Sequence, residues 1–284
     1  MTDIDAAEQF IVSTARVLDC RRYERLFKGG DAQPVIDAVR AYRTKDGGFG
    51  HALEPDGRDP AAQPPAVSLA LRTLDETDAW DEELVRGACD WLERNAPAEG
   101  GAMFVAPTIE GWPHPPWWTP DAGLPPSVIF TGLITATLHA RGVDHPWLTR
   151  ATELMWSLID RLNEPGAYAV RGVLAFLQHV PDRDHAEQAL ERVEPLVRRL
   201  VTVDPDAPGE VHGPLDFAPL PDSLARRFFD EDTIEAHLTH FANAQLDDGG
   251  WTFNWGSWSP VAEHEWRGAL TVDALVRLRD NGRL

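Results

Sequence analysis

A turn made of an acidic residue and two glycines occurs three times in this chain, each time between two apolar helical segments. The first copy is the run 46–49 (Asp-Gly-Gly-Phe), and the third is 248–251 (Asp-Gly-Gly-Trp). The second, 99–101 (Glu-Gly-Gly), is looser and has Phe104 nearby. We call these runs the first, second and third corners. Because glycine ends a helix in a left-handed conformation without a Cβ penalty, each corner predicts two helices joined by a rigid turn. A recurrent unit of this kind is typical of a repeat protein.

Apolar residues recur at helical spacing along nearly the whole chain, and strand signals are almost absent. The predicted helices are 4–28, 34–44, 64–76, 81–96, 125–142, 145–163, 166–180, 183–203, 217–228, 231–246 and 263–281. About eleven helices favour an all-α fold, an α/α toroid (barrel) of about five to six helical hairpins. The proline-rich stretch 204–209 is interpreted as an ordinary loop, because neither half of the chain holds enough hairpins to close a ring. We therefore predict a single toroid domain over 1–284.

A long loop follows each corner, at about 50–63, 102–124 and 252–262. Loops of this length are usually functional or disordered, and a composition rich in Trp, Pro, His and acidic residues favours function. In a toroid each outer helix runs toward its corner and each inner helix runs away from it. We therefore expect all corners at one end of the toroid, with the loops around the mouth of a cavity.

The third corner carries the sharpest motif of the chain. The run from Gln245 to Trp251 matches the pattern Q-x-x-x-G-x-W, with Phe241 four residues earlier where the pattern has an apolar residue. This is the core of the QW motif, and the chain resembles the terpenoid cyclase / protein prenyltransferase superfamily, which includes squalene-hopene cyclase. The first corner is a degenerate copy, with Arg43 in the glutamine position and Phe49 in the tryptophan position. The resemblance implies a toroid with an apolar cavity for an isoprenoid.

The loop after the first corner holds three carboxylates, a histidine and an arginine within nine residues. Crowded carboxylates in a partly apolar mouth raise one another's pKa, which suits a general acid at neutral pH. The alternative is a solvated turn in which Asp59 caps the next helix. The candidate catalytic residues in this loop are His51, Glu54, Asp56 and Asp59, and Arg58 is a candidate for holding one of the carboxylates ionised or binding substrate.

A second candidate set lies just before the last predicted helix, where acids also favour the helix dipole. Its catalytic candidates are His264 and Glu265. Tryptophan is unusually frequent, with eleven residues against three tyrosines, and aromatic loops can either pack a rim or line a ligand pocket. The candidate substrate-binding aromatic residues are Phe49, Trp117, Trp118, Trp255, Trp258 and Trp266.

Two further patterns have simpler explanations than chemistry. The run 230–233 (Asp-Glu-Asp-Thr) is similar to the D-x-D-D-T motif of class II cyclases but lacks one aspartate, and it begins an outer helix, so an N-cap is the better account. His237 and His240 are three residues apart and could share a zinc ion, yet surface or core positions explain them more simply. We predict no metal and no cofactor.

Charge and composition limit the partners. Forty-six acidic residues against 26 basic ones give a net charge of −20, which repels nucleic acid and anionic lipid. No apolar run approaches the roughly 18–20 residues that span a bilayer. The N-terminal segment is acidic and lacks the order of a signal peptide, and Cys20 and Cys89 form no disulfide framework, so we expect a cytoplasmic protein.

Three functional hypotheses follow. The first is a class II terpenoid cyclase-like enzyme, in which Asp59 or Asp56 protonates an isoprenoid alkene and aromatic faces steady the cation. The second is a carbohydrate-active barrel hydrolase or lyase that uses paired carboxylates and aromatic platforms. The third is a non-catalytic toroid that binds a small hydrophobic ligand or a partner protein. The substrate is expected to be a small, apolar molecule, and the oligomeric state stays open.

Overall fold

A computed structural model describes residues 2–284, and its regular secondary structure is helical. Within these residues there is no β-strand, only two isolated bridges, 43 to 49 and 103 to 126. The helices are α1 Ile4–Thr14, α2 Val17–Phe27, α3 Gln33–Arg40, α4 Pro64–Glu76, α5 Glu82–Arg94, α6 Val128–Ala140, α7 Pro146–Asp160, α8 Ala167–His179, α9 Arg183–Leu200, α10 Pro214–Phe217, α11 Glu231–Asn243 and α12 Pro260–Asp280. Short 3-10 helices cover Pro107–Gly111 and Leu224–Phe228. The prediction of an all-α protein is confirmed.

The predicted helix 4–28 is wrong, because it is two helices. Ala15 and Arg16 are extended, with ψ of 159° and 154°, and they separate α1 from α2. The hydroxyl of Ser13 donates to the Gln9 carbonyl oxygen, a local bond that competes with helix continuation. Ala15 also lies against Gly268 of α12, where an added Cβ would come within 2.8 Å of the Ala15 Cβ. A contact that is distant in sequence therefore requires the break.

The predicted helix 217–228 is also wrong. The structure has the four-residue helix α10, an irregular segment and then the 3-10 helix Leu224–Phe228. Pro219 and Pro221 lie between them, and proline lacks the N–H that a helix interior needs. Carbonyl oxygens of the irregular segment accept from side chains elsewhere in the fold: Asn281 Nδ2 donates to the Pro219 oxygen at 2.9 Å and Arg226 Nη1 to the Ala218 oxygen at 3.0 Å.

Contacts between residues divide the described chain into two compact units. The central unit is Ala32–Val193, and the terminal unit combines the residues up to Asp31 with Glu194–Leu284. The prediction of a single domain stays a prediction. In the central unit, the second helices of successive hairpins pack side by side: α6 lies against α4 and, most extensively, against α8. The first helices α5 and α7 also pack together.

In the terminal unit, the last helix packs against the beginning of the chain. α12 lies against both α1 and α2, and the shared core contains Ile11, Tyr23 and Leu275. An ion-pair network crosses the α2–α12 contact: Arg22, which is 1 % exposed, binds both Asp19 of its own helix and Asp273 of α12. Breaking a buried pair strongly destabilises a protein, so these charges help to fix the α2–α12 contact.

The first corner is a tight hydrogen-bonded turn. The Thr44 N–H donates to the Gly48 oxygen at 2.9 Å, and the Gly47 N–H donates back to the Thr44 oxygen at 3.0 Å. Phe49 follows with 0 % exposure. The corner packs against α5, since a Cβ on Gly48 would lie 2.7 Å from the Trp91 ring. The aromatic residue of this corner is therefore a packing residue.

The third corner repeats this geometry. The Leu246 N–H donates to the Gly250 oxygen at 2.9 Å, and the Gly249 N–H donates to the Leu246 oxygen at 2.8 Å. Trp251 is 2 % exposed, and its indole N–H donates to the Phe241 oxygen. Gln245 donates from its side-chain amide to the Gly249 oxygen at 2.9 Å. The two corners are thus the same turn, although they share little sequence beyond Asp-Gly-Gly-aromatic.

Gln245 also joins the third corner to the N-terminal helix. Its Oε1 accepts from the Asp3 N–H at 2.7 Å, and its Nε2 donates to the Asp3 oxygen at 2.8 Å. Asp3 is the N-cap of α1 and accepts from the Ala6 N–H. The glutamine of the motif therefore fixes the start of α1 against the corner.

The second corner keeps one of the two turn hydrogen bonds, from the Gly100 N–H to the Pro97 oxygen at 2.8 Å, but Pro97 has no N–H to donate back and no aromatic residue follows the glycines. Gly100 and Gly101 both have positive φ, and Ala102 occupies the aromatic position. The indole N–H of Trp147, in the first turn of α7, donates to the Gly101 oxygen at 3.2 Å. The Ala102 N–H donates to Thr131 Oγ1 at 3.0 Å, as the Trp251 N–H does to a threonine hydroxyl in α12. A tryptophan from the next hairpin thus contributes the indole at this corner.

Gly249→Ala is expected to destabilise the protein by about 3 kcal/mol, because φ is +88° and an added Cβ would lie 2.2 Å from the Ala6 oxygen. Gly282→Ala is the matched control: φ is +70° but no atom lies within 4 Å of the added Cβ. It should cost only the left-handed strain, about 1 kcal/mol. Urea unfolding measures both; equal losses would mean that the α1 contact does not constrain the corner.

Candidate functional site

The first loop, 50–63, is compact and strained. His51 and Ala52 have φ of 56° and 60°, a left-handed conformation that is costly for residues with a Cβ. The Leu53 N–H donates to the Gly50 oxygen at 3.0 Å, and the Leu53 side chain is fully buried. The turn therefore places Leu53 inside the central unit and leaves His51 exposed.

Asp59, the leading candidate acid, is 1 % exposed and holds the loop together. Its Oδ1 accepts from the Ala61 N–H and its Oδ2 from Gln63 Nε2, both at 2.8 Å. Gln63, the N-cap residue of α4, also accepts from the Ala106 N–H at 2.7 Å through Oε1. Gln63 Nε2 lies 3.0 Å from the Thr108 hydroxyl oxygen. Asp59 is therefore buried and not solvated: it holds Gln63, and Gln63 makes the hydrogen bonds that join the first loop to the second.

The other charged residues of the first loop are held by its own backbone. Glu54 Oε2 accepts from the Asp56 N–H at 2.9 Å, and Asp56 is itself buried. Arg58 lies half-buried, with Nη1 3.4 Å from the Pro55 oxygen and its N–H donating to the Pro113 oxygen at 3.1 Å. The predicted residues therefore lie in one loop. The bond from the Arg58 N–H to the Pro113 oxygen and the bond from the Ala106 N–H to Gln63 Oε1 tie that loop to the second.

The second loop packs on the first through Trp118. This side chain is 4 % exposed, lies edge-on to Phe104 at 6.4 Å between ring centres, and covers Gly57, where a Cβ would lie 2.5 Å from the indole. The space left between the loops, bordered by Glu54, Asp59 and Trp118, is about 10 Å³. That is room for a single water molecule at most. The two loops fill their own interface.

The third loop carries an aromatic array, which we define as Phe253, Trp255 and Trp266. The Phe253 and Trp255 rings are stacked, with centres 4.4 Å apart and an angle of 20°, and Trp255 meets Trp266 edge-on at 5.5 Å and 85°. All three rings are half-buried, as is Trp258. Phe253 was not predicted from the sequence, although the alternation W-T-F-N-W at 251–255 is a signal for it.

The acidic candidates of this region lie inside a helix, not before one. The predicted start of the last helix at 263 is wrong, because α12 begins at Pro260 and includes the run 263–266. Pro260 fits the first helical position, where its missing N–H costs nothing. Glu263 and His264 are exposed, and Glu265 is half-buried beside Trp266 in sequence. The predicted residues Trp255, Trp258, His264, Glu265 and Trp266 therefore belong to one loop and the helix that follows it.

A charged clamp lies at the third corner. Arg267 Nη2 donates to both carboxylate oxygens of Asp248, at 2.8 and 2.7 Å, and its guanidinium lies over the Phe10 ring of α1 at 4.7 Å. Burial raises the pKa of Asp248, but the bonds from Arg267 and the Gly250 N–H outweigh it and leave this pKa below its usual value. Sequence inspection missed Arg267.

The patterns given simpler explanations have ordinary structural roles. Asp230 accepts from the Thr233 N–H at 2.7 Å as the N-cap of α11, which confirms that account. His237 Nε2 lies 2.9 Å from the Val203 oxygen, and His240 Nδ1 lies 3.1 Å from Asp206. His240 and Asp206 border an open groove of about 480 Å³ in the terminal unit.

Between residues 2 and 284, no three His, Cys, Asp or Glu side chains are arranged to hold a metal ion. Over the same residues, none of the helices has the length and apolar character needed to cross a membrane. Cys89 is fully buried, and burial raises the pKa of its thiol to about 12.

Comparison with models of protein families finds no match to this chain, and comparison with curated proteins finds none.

Asp59→Asn is expected to lower the free energy of unfolding by about 2 kcal/mol, because an amide group would face the Ala61 and Gln63 donors in a buried position. Asp121→Asn, on an exposed residue of the second loop, is the control and should stay within about 0.5 kcal/mol of the wild type. Urea unfolding measures both. An Asp59→Asn protein as stable as the control would contradict the role of Asp59 in holding Ala61 and Gln63.

Asp248→Asn is expected to remove a pH-dependent stabilisation of about 0.5 kcal/mol, a small value because Asp248 is half exposed. The lowered folded-state pKa means that the contribution is present above the unfolded pKa of about 3.9 and is lost as pH falls through the folded pKa. The free energies of unfolding of wild type and variant should differ at pH 7 and converge once the pH has fallen through the lowered folded-state pKa of Asp248. Asp247→Asn, on the exposed neighbour, is the control; a constant difference at all pH values would refute the ion-pair account.

Proposed function

We propose that the protein is an α/α toroid of the terpenoid cyclase type that binds a small apolar molecule, of the isoprenoid class, at the third loop. The observation that carries the proposal is the half-buried aromatic array of Phe253, Trp255 and Trp266. It follows directly on the corner that matches the QW motif. The substrate class itself rests on that resemblance.

Two packing relations support the toroid. The first corner lies against α5, the first helix of the next hairpin, and the third corner lies against α1 through Gly249 and Gly250. At the third corner, α1 thus occupies the position that α5, the first helix of the next hairpin, occupies at the first corner. Within the terminal unit, α12 also packs on α2, so the first and last hairpins are neighbours. A ring of hairpins requires both relations.

The aromatic array suits an apolar ligand with cationic character in its reaction. Aromatic faces carry partial negative charge and attract a nearby cation, and their carbon surface favours an apolar chain. Glu265 and His264 lie in the first turns of α12, next to Trp266, and are the acid–base groups closest to this array in sequence. We propose Glu265 as the acid to test first.

The first-loop carboxylates contribute less to this proposal. Both oxygens of Asp59 accept hydrogen bonds from N–H groups, so this carboxylate is already used in holding Ala61 and Gln63 within the first loop. Proton donation by Asp59 or Asp56 stays a prediction. A binding role at the third loop needs neither residue.

The test begins with a native mass spectrum of the purified protein and identification of any extracted molecule. Binding of farnesol, a C15 isoprenoid alcohol, is then measured by calorimetry. Trp255→Ala should weaken farnesol binding about tenfold, because it removes the central ring of the array. Trp112→Ala, which removes a ring of the second loop, is the matched control and should bind as the wild type does.

Two results would overturn the proposal. One is farnesol binding that Trp255→Ala and Trp112→Ala leave equally unchanged. The other is a co-purifying sugar in place of an apolar molecule, which would favour the carbohydrate-active alternative. If farnesol binds as expected, Glu265→Gln and Asp59→Asn separate the two candidate acids by turnover of polyprenyl substrates, with binding measured in parallel.

A further inference from the structure

The second loop presents two tryptophans to solvent. Trp112 is 47 % exposed and Trp117 is 50 % exposed. Within the described part of the chain, neither indole packs against another aromatic ring, whereas Trp118, Trp255 and Trp266 do. Both exposed indoles lie on one short segment of the second loop, and exposed apolar surface of this kind can mark an interaction site.

The loop that carries these rings is rigid. Prolines at 113, 115, 116 and 120 fix the backbone, and the Trp118 N–H donates to the Pro115 oxygen at 3.0 Å. The Trp112 N–H donates to the Ile109 oxygen at 2.9 Å, and the Pro113 oxygen accepts from the first loop. Trp118 anchors the whole segment in the core. The backbone that carries the exposed rings is thus held in place before any partner binds, which lowers the entropy cost of binding.

The charge around the rings selects the chemistry of the partner. The segment 107–124 contains two acidic residues, Glu110 and Asp121, both exposed, and no lysine or arginine. The chain as a whole has a net charge of −20. An anionic partner is therefore repelled, while a cation is attracted by the carboxylates and by the faces of the indole rings.

We propose that the segment 107–124 is a docking surface for an arginine-bearing segment of a partner protein, with Trp112 and Trp117 stacking on guanidinium groups. Arginine fits better than lysine because its planar, weakly hydrated group stacks on aromatic rings. Glu110 and Asp121 supply the opposite charge. The proposal is independent of the ligand proposed for the third loop.

The test is binding of a fluorescein-labelled peptide, acetyl-(Gly-Arg)4-amide, measured by anisotropy. Trp112→Ala/Trp117→Ala should weaken binding about tenfold, with unchanged circular dichroism, because both residues lie on the surface. Trp255→Ala is the control: it keeps the net charge and the second loop and should bind as the wild type does. Acetyl-(Gly-Lys)4-amide should bind more weakly than the arginine peptide.

The net charge of the protein would attract any polycation, and the tryptophan variants separate this attraction from docking. Equal peptide affinity for the double variant and the wild type would overturn the proposal. Tighter binding of neutral cellohexaose than of the arginine peptide, lost in the double variant, would overturn it in favour of a glycan surface. Glu110→Gln/Asp121→Asn should weaken peptide binding and leave any cellohexaose binding unchanged.

Discussion

In the first and third corners, two backbone hydrogen bonds close the same turn: one residue donates across the turn to the second glycine, and the first glycine donates back to it. A left-handed first glycine makes this closure possible. The buried aromatic residue that follows the glycines then helps to hold the corner. A neighbouring helix also packs against the corner, through Trp91 at the first corner and Phe10 at the third. The first corner joins α3 to α4, which pack against each other.

The loops after the corners differ in what they do with their polar residues. In the central unit, Asp59 and Gln63 are buried and satisfy each other and the backbone of the second loop, so the acid-rich loop is mainly a structural element. In the terminal unit, the third loop keeps three aromatic rings half-buried beside the start of α12. The crowding of acids in sequence therefore marked a well-packed loop, while the aromatic array lies where we propose the ligand site.

Tertiary contacts explain some of the sequence-based expectations that failed, and overlooked local signals explain another. The break between α1 and α2 follows from the approach of Ala15 to Gly268, more than 250 residues along the chain, and periodicity within 4–28 carries no trace of it. By contrast, Pro219 and Pro221 were local signals that the prediction of helix 217–228 overlooked. Arg267 was missed because its partners, Asp248 and Phe10, become neighbours only when the third corner meets α1.

The sequence by itself determined the all-α class, most helices and all three corners, since these follow from local spacing, prolines and glycine conformation. Helix α4, predicted at 64–76, has these bounds because Pro64 and Pro65 set its first turn. Only the tertiary structure decided which side chains are buried together: that Gln63, held by Asp59, joins two loops, that Trp118 is buried while Trp117 is exposed, and that Gln245 holds the start of α1. Burial and hydrogen-bond partners depend on residues far apart in the chain, which no local pattern encodes.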